Sequence, residues 1–130
     1  MKPNLYLDVD GVILFLKKGA IPYEYVDDFM FDFVLSSKHL FNKIYWLSCW
    51  TKTGSAERLY LEYPKLKDFE AIPLEWKILK TNAIDWSQPF IWLEDGVLTE
   101  ERKIFHERAV ANQHIWEIRP GEYAMLNRKD

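Results

Sequence analysis

The segment NLYLDVDGVILF, residues 4–15, places two carboxylates at the end of an apolar run and directly before a glycine. Residues 5–7 predict a buried strand, and Asp8 and Asp10 follow that strand at its carboxyl end. Asp followed by Gly is also common in ordinary turns, so residues 8–11 (DVDG) alone allow a simple turn as well as a functional site. The interpretation of this segment therefore depends on what the rest of the chain places beside it.

Composition limits the kind of protein that these 130 residues can form. The length predicts one domain over residues 1–130, and 48% hydrophobic with 28% charged residues indicates a folded soluble chain. A formal net charge of -3 provides no global positive field for nucleic acid or anionic membranes. The first residues are too acidic for a secretory signal or a membrane span, and Cys49 is the only cysteine, so we expect a cytoplasmic protein without membrane partners.

Short strand patterns alternate with helical patterns along most of the chain. The predicted strands are residues 5–7, 44–47, 69–72, 90–93 and 115–118. The predicted helices are residues 25–41, 55–63, 76–85 and 100–112. This alternation favours an α/β fold, an open parallel sheet of about five strands with helices on both faces.

Acidic and hydroxyl side chains follow three of the predicted strands. Asp8 and Asp10 follow the first strand, Ser48 follows the second, and Glu94 with Asp95 follow the fourth. Because ligands of open α/β sheets bind outside the carboxyl ends of the strands, these residues should gather at one edge. Several like charges in one place are unfavourable without a compensating cation, so the convergence suggests a divalent metal.

Four motifs, in this order, resemble the haloacid dehalogenase superfamily, in particular its small phosphatase-like members. They are DVDGV at residues 8–12, YWLSCWT at 45–51, WKILK at 76–80 and FIWLEDG at 90–96. Together they span most of the chain, and the first is the most specific. The resemblance implies a Rossmann-like hydrolase domain that carries out phosphoryl transfer.

The resemblance also implies roles for the first two acids. Asp8 would be the nucleophile that forms an aspartyl-phosphate intermediate. Asp10 would protonate the leaving oxygen and then activate the water that hydrolyses the intermediate. Within the superfamily, an acid at this second position points to a phosphohydrolase rather than a dehalogenase.

Further implied substrate contacts come from the motifs at residues 45–51 and 76–80. Ser48 would hold a phosphate oxygen, although a serine here could equally cap the following turn. Cys49 lies beside it at the substrate, where we expect a small buried side chain rather than a reactive thiol. Of two lysines one helical turn apart, spacing in related sequences favours Lys77 over Lys80 as the cation that offsets charge on the phosphate, with a solvated helix face as the ordinary alternative.

Mg²⁺ is the implied cofactor, with Asp8, the Asp10 carbonyl and one of Glu94 and Asp95 as ligands. Related proteins commonly carry two aspartates at the last two positions, whereas Glu94 is one methylene longer. Asp95 could hold the metal alone with Glu94 acting through water, or the two acids could form only an exposed loop pair. The sequence leaves the metal ligand open between them.

Residues 12–43 leave no room for the separate cap domain that many superfamily members insert there. A hairpin-like flap around residues 14–23 and one helix fill this interval, so the crevice should be open to a bulky phosphoester. The expected function is a Mg²⁺-dependent phosphomonoesterase with a phosphorylated substrate. The alternative is a catalytically weak module that binds phosphate or nucleic-acid ends, and a phosphatase acting on nucleic-acid ends would combine both.

Overall fold

The fold is organised around a short apolar strand at the centre of a six-stranded sheet. A computed structural model describes residues 1–17, 19–21, 23–119 and 122–128. The strands are Asn4–Leu7 (β1), Leu14–Lys17 (β2), Tyr23–Val26 (β3), Ile44–Trp46 (β4), Ile72–Pro73 (β5), Phe90–Glu94 (β6), Gln113–Arg119 (β7) and Glu122–Arg128 (β8). The α-helices are Asp28–Ser37 (α1), Glu57–Glu62 (α2) and Thr99–Arg108 (α3).

The strand order in the sheet is β5-β4-β1-β6-β7-β8. The first five strands in this order are parallel, and β8 pairs antiparallel with β7. The remaining two strands, β2 and β3, form a separate antiparallel hairpin at the position of the predicted flap. The structure therefore confirms the α/β class and the parallel sheet that the sequence predicts.

Alternating side chains of the sheet enter two different cores. Leu5 and Leu7 pack in the core that contains Met30 of α1, whereas Tyr6 packs in the core that contains Phe105 of α3. This alternation follows from the two-residue period of a strand, which sends successive side chains to opposite faces. Because both faces are apolar along β1, helices cover both of them.

The helices change faces at β1. The core that α1 and α2 cover lies on the path from β1 through β4 to β5, and the core that α3 covers lies on the path from β6 to β7. Connections that diverge to opposite faces leave a crevice outside the carboxyl ends of the central strands. The segments after β1 and β4 and the end of β6 lie at that crevice.

Residues 76–85 do not form the predicted α-helix. They form an irregular segment that ends in a short 3₁₀ helix, Lys80–Ala83. Ile78 has a φ of 65°, and the Leu79 N–H donates to the Lys77 carbonyl at 2.7 Å, so the chain turns sharply there. Trp76 and Ile84 pack against one face of the sheet, and this anchoring explains apolar spacing that resembled a helix.

Other boundaries also differ from the prediction. The strand predicted at residues 69–72 is wrong except at its last residue, because β5 begins at Ile72. The 3₁₀ helix Pro64–Phe69 ends inside the predicted range, and Glu70 adopts a left-handed φ of 53°. The helix predicted from residue 25 begins only at α1, where the side chain of Asp27 accepts a hydrogen bond from the Met30 N–H at 2.9 Å. Strand β8 was not predicted.

Candidate functional site

Three carboxylates from the ends of two adjacent strands meet at the crevice. Asp8 follows β1, Glu94 is the last residue of β6, and Asp95 follows it. Each offers a carboxylate oxygen, and these oxygens all lie within 4.8 Å of one another. The parallel register that pairs Leu7 with Leu93 brings the two strand ends level, so the sheet itself positions the cluster.

Lys80 is the cation of this cluster. Its ammonium lies 2.9 Å and 3.1 Å from the two carboxylate oxygens of Glu94, and 3.3 Å from Oδ2 of Asp8. The side chains of Lys80 and Asp8 are each 9% exposed, so this is a buried ion cluster rather than a surface pair. Such clusters depend strongly on every partner, because removing one leaves an uncompensated buried charge.

Burial controls the protonation of the cluster. Burial, followed by the charge of Asp8, raises the pKa of Glu94 to about 9 against the opposing effect of Lys80. Burial and the charge of Asp8 also raise the pKa of Asp95. For Lys80, burial lowers the pKa, but the charges of Asp8 and Glu94 outweigh it and the net shift is upward. Two buried carboxylates and one ammonium favour zero net charge, which is reached when Glu94 retains a proton.

Gly11 makes room for the third carboxylate. A Cβ atom at this position would overlap the carboxylate of Asp95. Gly11 also has a φ of 77°, a conformation that side chains rarely adopt. Asp10 and Gly11 thus form part of a turn, which is the simpler of the two interpretations of this segment. The absence of a side chain at Gly11 also leaves the space that the Asp95 carboxylate occupies.

Asp10 lies at the exposed side of the site. The indole N–H of Trp50 lies 3.3 Å and 3.2 Å from its two carboxylate oxygens. Glu24, from the flap strand β3, also lies against Asp10, and burial followed by the charge of Asp10 raises the pKa of Glu24. The guanidinium of Arg58 lies over the Trp50 ring, 5.1 Å from its centroid. Asp10 is therefore held from the side of the flap and the loop after β4.

Ser48 lies in the loop after β4 as a cap. Its side-chain oxygen accepts a hydrogen bond from the Trp50 N–H at 3.1 Å, at the start of the 3₁₀ helix Cys49–Thr51. The Trp76 indole N–H donates to the Ser48 carbonyl at 3.0 Å. The expectation that Cys49 is buried is wrong, because its side chain is exposed where the 3₁₀ turn points it outward.

The structure corrects the choice between the two lysines. Lys77 is exposed, and the turn at Ile78 directs the chain so that Lys80, not Lys77, enters the carboxylate cluster. The backbone N–H of Lys80 donates to Oε2 of Glu101 at 3.0 Å, while Oε1 of Glu101 accepts from the Leu98 N–H at 3.1 Å. Sequence reasoning did not single out Glu101, because acids in the first turn of a helix ordinarily interact with the helix dipole in solvent.

The donor set suits a hard divalent cation. Asp8 and Asp95 provide carboxylate oxygens from two strand ends, the ligand type that Mg²⁺ prefers. Both oxygens of Glu94 lie within hydrogen-bond distance of Lys80, whereas Asp8 presents only Oδ2 to it, at 3.3 Å, and the ion pairs among the described residues do not include Asp95. Asp8 and Asp95 are therefore the carboxylates best placed to ligate a metal. The sequence left the second carboxylate ligand open between Glu94 and Asp95. The site residues fit a cation that Asp8 and Asp95 would ligate, without Glu94.

Comparison with known proteins gives no further guide. No family model matches the chain, and neither the curated proteins nor the solved structures include a match. Of the helices within the described residues, none is long and apolar enough to cross a membrane.

Proposed function

We infer that this chain is a Mg²⁺-dependent phosphomonoesterase of the haloacid dehalogenase type, with Asp8 as the nucleophile. The observation that carries the proposal is the meeting of Asp8, Glu94 and Asp95 around a buried Lys80 at the carboxyl edge of the sheet. This arrangement combines a carboxylate nucleophile with cationic charge at one point. Phosphoryl transfer needs both, because charge on the phosphoryl oxygens must be offset during in-line attack.

The proposed reaction has two displacements. In the first, a carboxylate oxygen of Asp8 attacks phosphorus, the bond to the leaving oxygen breaks, and Asp10 gives that oxygen its proton. In the second, Asp10 takes a proton from water as the water oxygen attacks phosphorus, and phosphate leaves with Asp8 restored. Bound Mg²⁺ would offset negative charge on the phosphoryl group. Lys80 holds Asp8 in place and contributes a second positive charge.

The direct test is phosphate release from p-nitrophenyl phosphate with Mg²⁺ or with EDTA. Asp8→Asn removes the nucleophile, and we expect turnover to fall by roughly three or more orders of magnitude. Asp68→Asn, at an exposed position, is the matched control and should keep wild-type turnover. Wild-type turnover in Asp8→Asn, or full activity in EDTA, would contradict the proposal.

A second candidate is a catalytically weak module that binds phosphate or nucleic-acid ends. It is favoured by the Lys80 cluster, in which both Glu94 oxygens are engaged and the Asp8 side chain is only 9% exposed. This module would bind inorganic phosphate or a 5′- or 3′-phosphorylated oligonucleotide with Mg²⁺ but release no phosphate from a broad phosphoester panel. A steep salt dependence of oligonucleotide affinity would assign nucleic acid as its ligand.

A further inference from the structure

Trp50, whose indole N–H contacts Asp10, also lines a cationic cavity. It has a volume of about 340 Å³, and its lining includes Trp50, Lys52, Arg58 and Glu57. Two cationic side chains and one carboxylate give the lining a net positive charge. The neighbouring catalytic crevice holds Asp10 and Asp95 beside the compensated cluster of Asp8, Glu94 and Lys80, so that region is acidic and the two adjoining regions differ in sign.

The two cations of this cavity are held by aromatic rings rather than by acids. The ion pairs found among the described residues include neither Lys52 nor Arg58. The Lys52 ammonium lies 4.5 Å from the centroid of the Trp76 ring, and the Arg58 guanidinium lies over Trp50. A cation over an indole is oriented without being neutralised, so its charge stays available to an anion.

Both rings connect the cavity to the catalytic groups. Trp50 directs its N–H to Asp10 while its ring carries Arg58. The Lys80 ammonium lies 5.7 Å from the Trp76 centroid, so one indole ring contacts both Lys80 and Lys52. The cavity is therefore one indole ring away from the acid–base carboxylate and from the cluster.

We propose that this cavity, which we call the Lys52/Arg58 subsite, binds a second anionic group on the leaving group of the substrate. The proposal rests on the proposed function, in which Asp10 faces the leaving oxygen. The substituent on that oxygen extends past Asp10, and Trp50 separates Asp10 from Lys52 and Arg58. The preferred substrates are phosphomonoesters whose leaving group carries a further phosphate or carboxylate, and a neutral leaving group makes no use of the subsite.

Matched substrates test this inference. The monophosphates and bisphosphates of straight-chain α,ω-alkanediols differ only in the second phosphate, and a series of chain lengths samples the distance between the two sites. The wild-type protein should hydrolyse the best bisphosphate with a kcat/KM about tenfold above that of its monophosphate, a factor typical of two partly exposed charge contacts. The same chain with a terminal carboxylate distinguishes a phosphate-specific subsite from a general anion subsite.

Charge removal completes the test. In Lys52→Met/Arg58→Met the ratio of bisphosphate to monophosphate kcat/KM should fall to near one. In Lys43→Met/Lys67→Met, which removes the same charge from exposed positions elsewhere, the ratio should stay at the wild-type value. An equal ratio in the two double variants, or no preference at any chain length, would overturn the inference while leaving the phosphatase proposal intact.

Calorimetry with Mg²⁺ separates the two proposals if turnover is absent. No phosphate release from any monophosphate contradicts the proposed function. The subsite then still predicts that wild-type protein binds bisphosphate more tightly than monophosphate, and that only Lys52→Met/Arg58→Met removes the difference. Equal binding of both compounds by the wild-type protein would overturn it.

Discussion

The two halves of the candidate site are built differently. The buried half, Asp8, Glu94 and Lys80, forms a closed ion cluster whose groups are fixed by strand ends and by the Lys80 backbone. The exposed half, Asp10 and Trp50, depends on a long indole hydrogen bond at the surface and on the contact of Asp10 with Glu24 of the flap. In a buried ion cluster each charge is stabilised mainly by its partners, so losing one partner is costly, whereas an exposed contact competes with water. Substitutions should therefore cost stability in the first half, and in the second half they should chiefly affect the proposed phosphatase activity.

Removing the Lys80 cation should destabilise the buried half of the site. Lys80→Met leaves Asp8 and Glu94 without their shared ammonium, and we expect the free energy of unfolding to fall by about 3–5 kcal/mol. Lys77→Met is the matched control at an exposed lysine, and its effect should stay within about 0.5 kcal/mol. Urea unfolding measures both variants. Equal effects would mean that the buried half is not the more tightly coupled of the two.

A side chain at Gly11 should displace Asp95, which lies between the buried half and the exposed half of the site. Gly11→Ala introduces a Cβ that overlaps Asp95 at a positive φ, and we expect a loss of about 1–3 kcal/mol in the free energy of unfolding. Mg²⁺ affinity, measured by calorimetry, should weaken with it, since Asp95 has to move. At Gly19, where a Cβ meets nothing within 4 Å, the alanine variant should retain Mg²⁺ affinity. Unchanged Mg²⁺ affinity in Gly11→Ala would count against Asp95 as a ligand.

The pH dependence of stability should report the proton on Glu94. Its pKa is about 9 in the folded chain and near 4.5 when unfolded, so the folded state binds more protons between these values. Stability in EDTA should consequently decrease as pH rises through this window, with a slope of at most about 1.4 kcal/mol per pH unit from this group. Urea unfolding across the window measures the slope. Glu94→Gln should flatten it, and an unchanged slope would place the retained proton elsewhere.

The smallest effect on stability should come from the exposed half. Trp50→Phe keeps a ring but removes the N–H that contacts Asp10, and the free energy of unfolding should change by no more than about 1 kcal/mol. Turnover of p-nitrophenyl phosphate should fall several-fold, because Asp10 loses a group that orients it. The comparison variant is Trp76→Phe. It removes the indole N–H that donates to the Ser48 carbonyl at 3.0 Å, a hydrogen bond that is less exposed than the one between Trp50 and Asp10. A larger stability loss in Trp50→Phe than in Trp76→Phe would reverse the proposed order.

The sequence predicts those parts of the fold and site that local patterns determine. The apolar run before Asp8 and the run before Glu94 each identify a central strand, and parallel pairing then brings their ends together. The predicted flap is confirmed as the β2–β3 hairpin, because the sequence places the turn formers Gly19 and Pro22 between its two strands. These features need no knowledge of distant contacts.

Long-range packing decides the parts that the sequence did not predict. Ile78 adopts a positive φ that its residue type disfavours, so no local signal identifies the turn that brings in Lys80. Glu101 resembles any acid in a first helical turn until its two hydrogen bonds to Lys80 and Leu98 are known. Residues 122–128 mix charged and apolar side chains, a pattern that does not stand out from a loop.

The shortness of β5 affects how the sheet meets other chains. This edge strand comprises only Ile72–Pro73, and proline has no N–H to offer to an incoming strand. An edge of two residues ending in proline is a poor template for the intermolecular strand pairing that begins aggregation. The border of the sheet beside β4 is therefore protected against self-association by its own backbone chemistry.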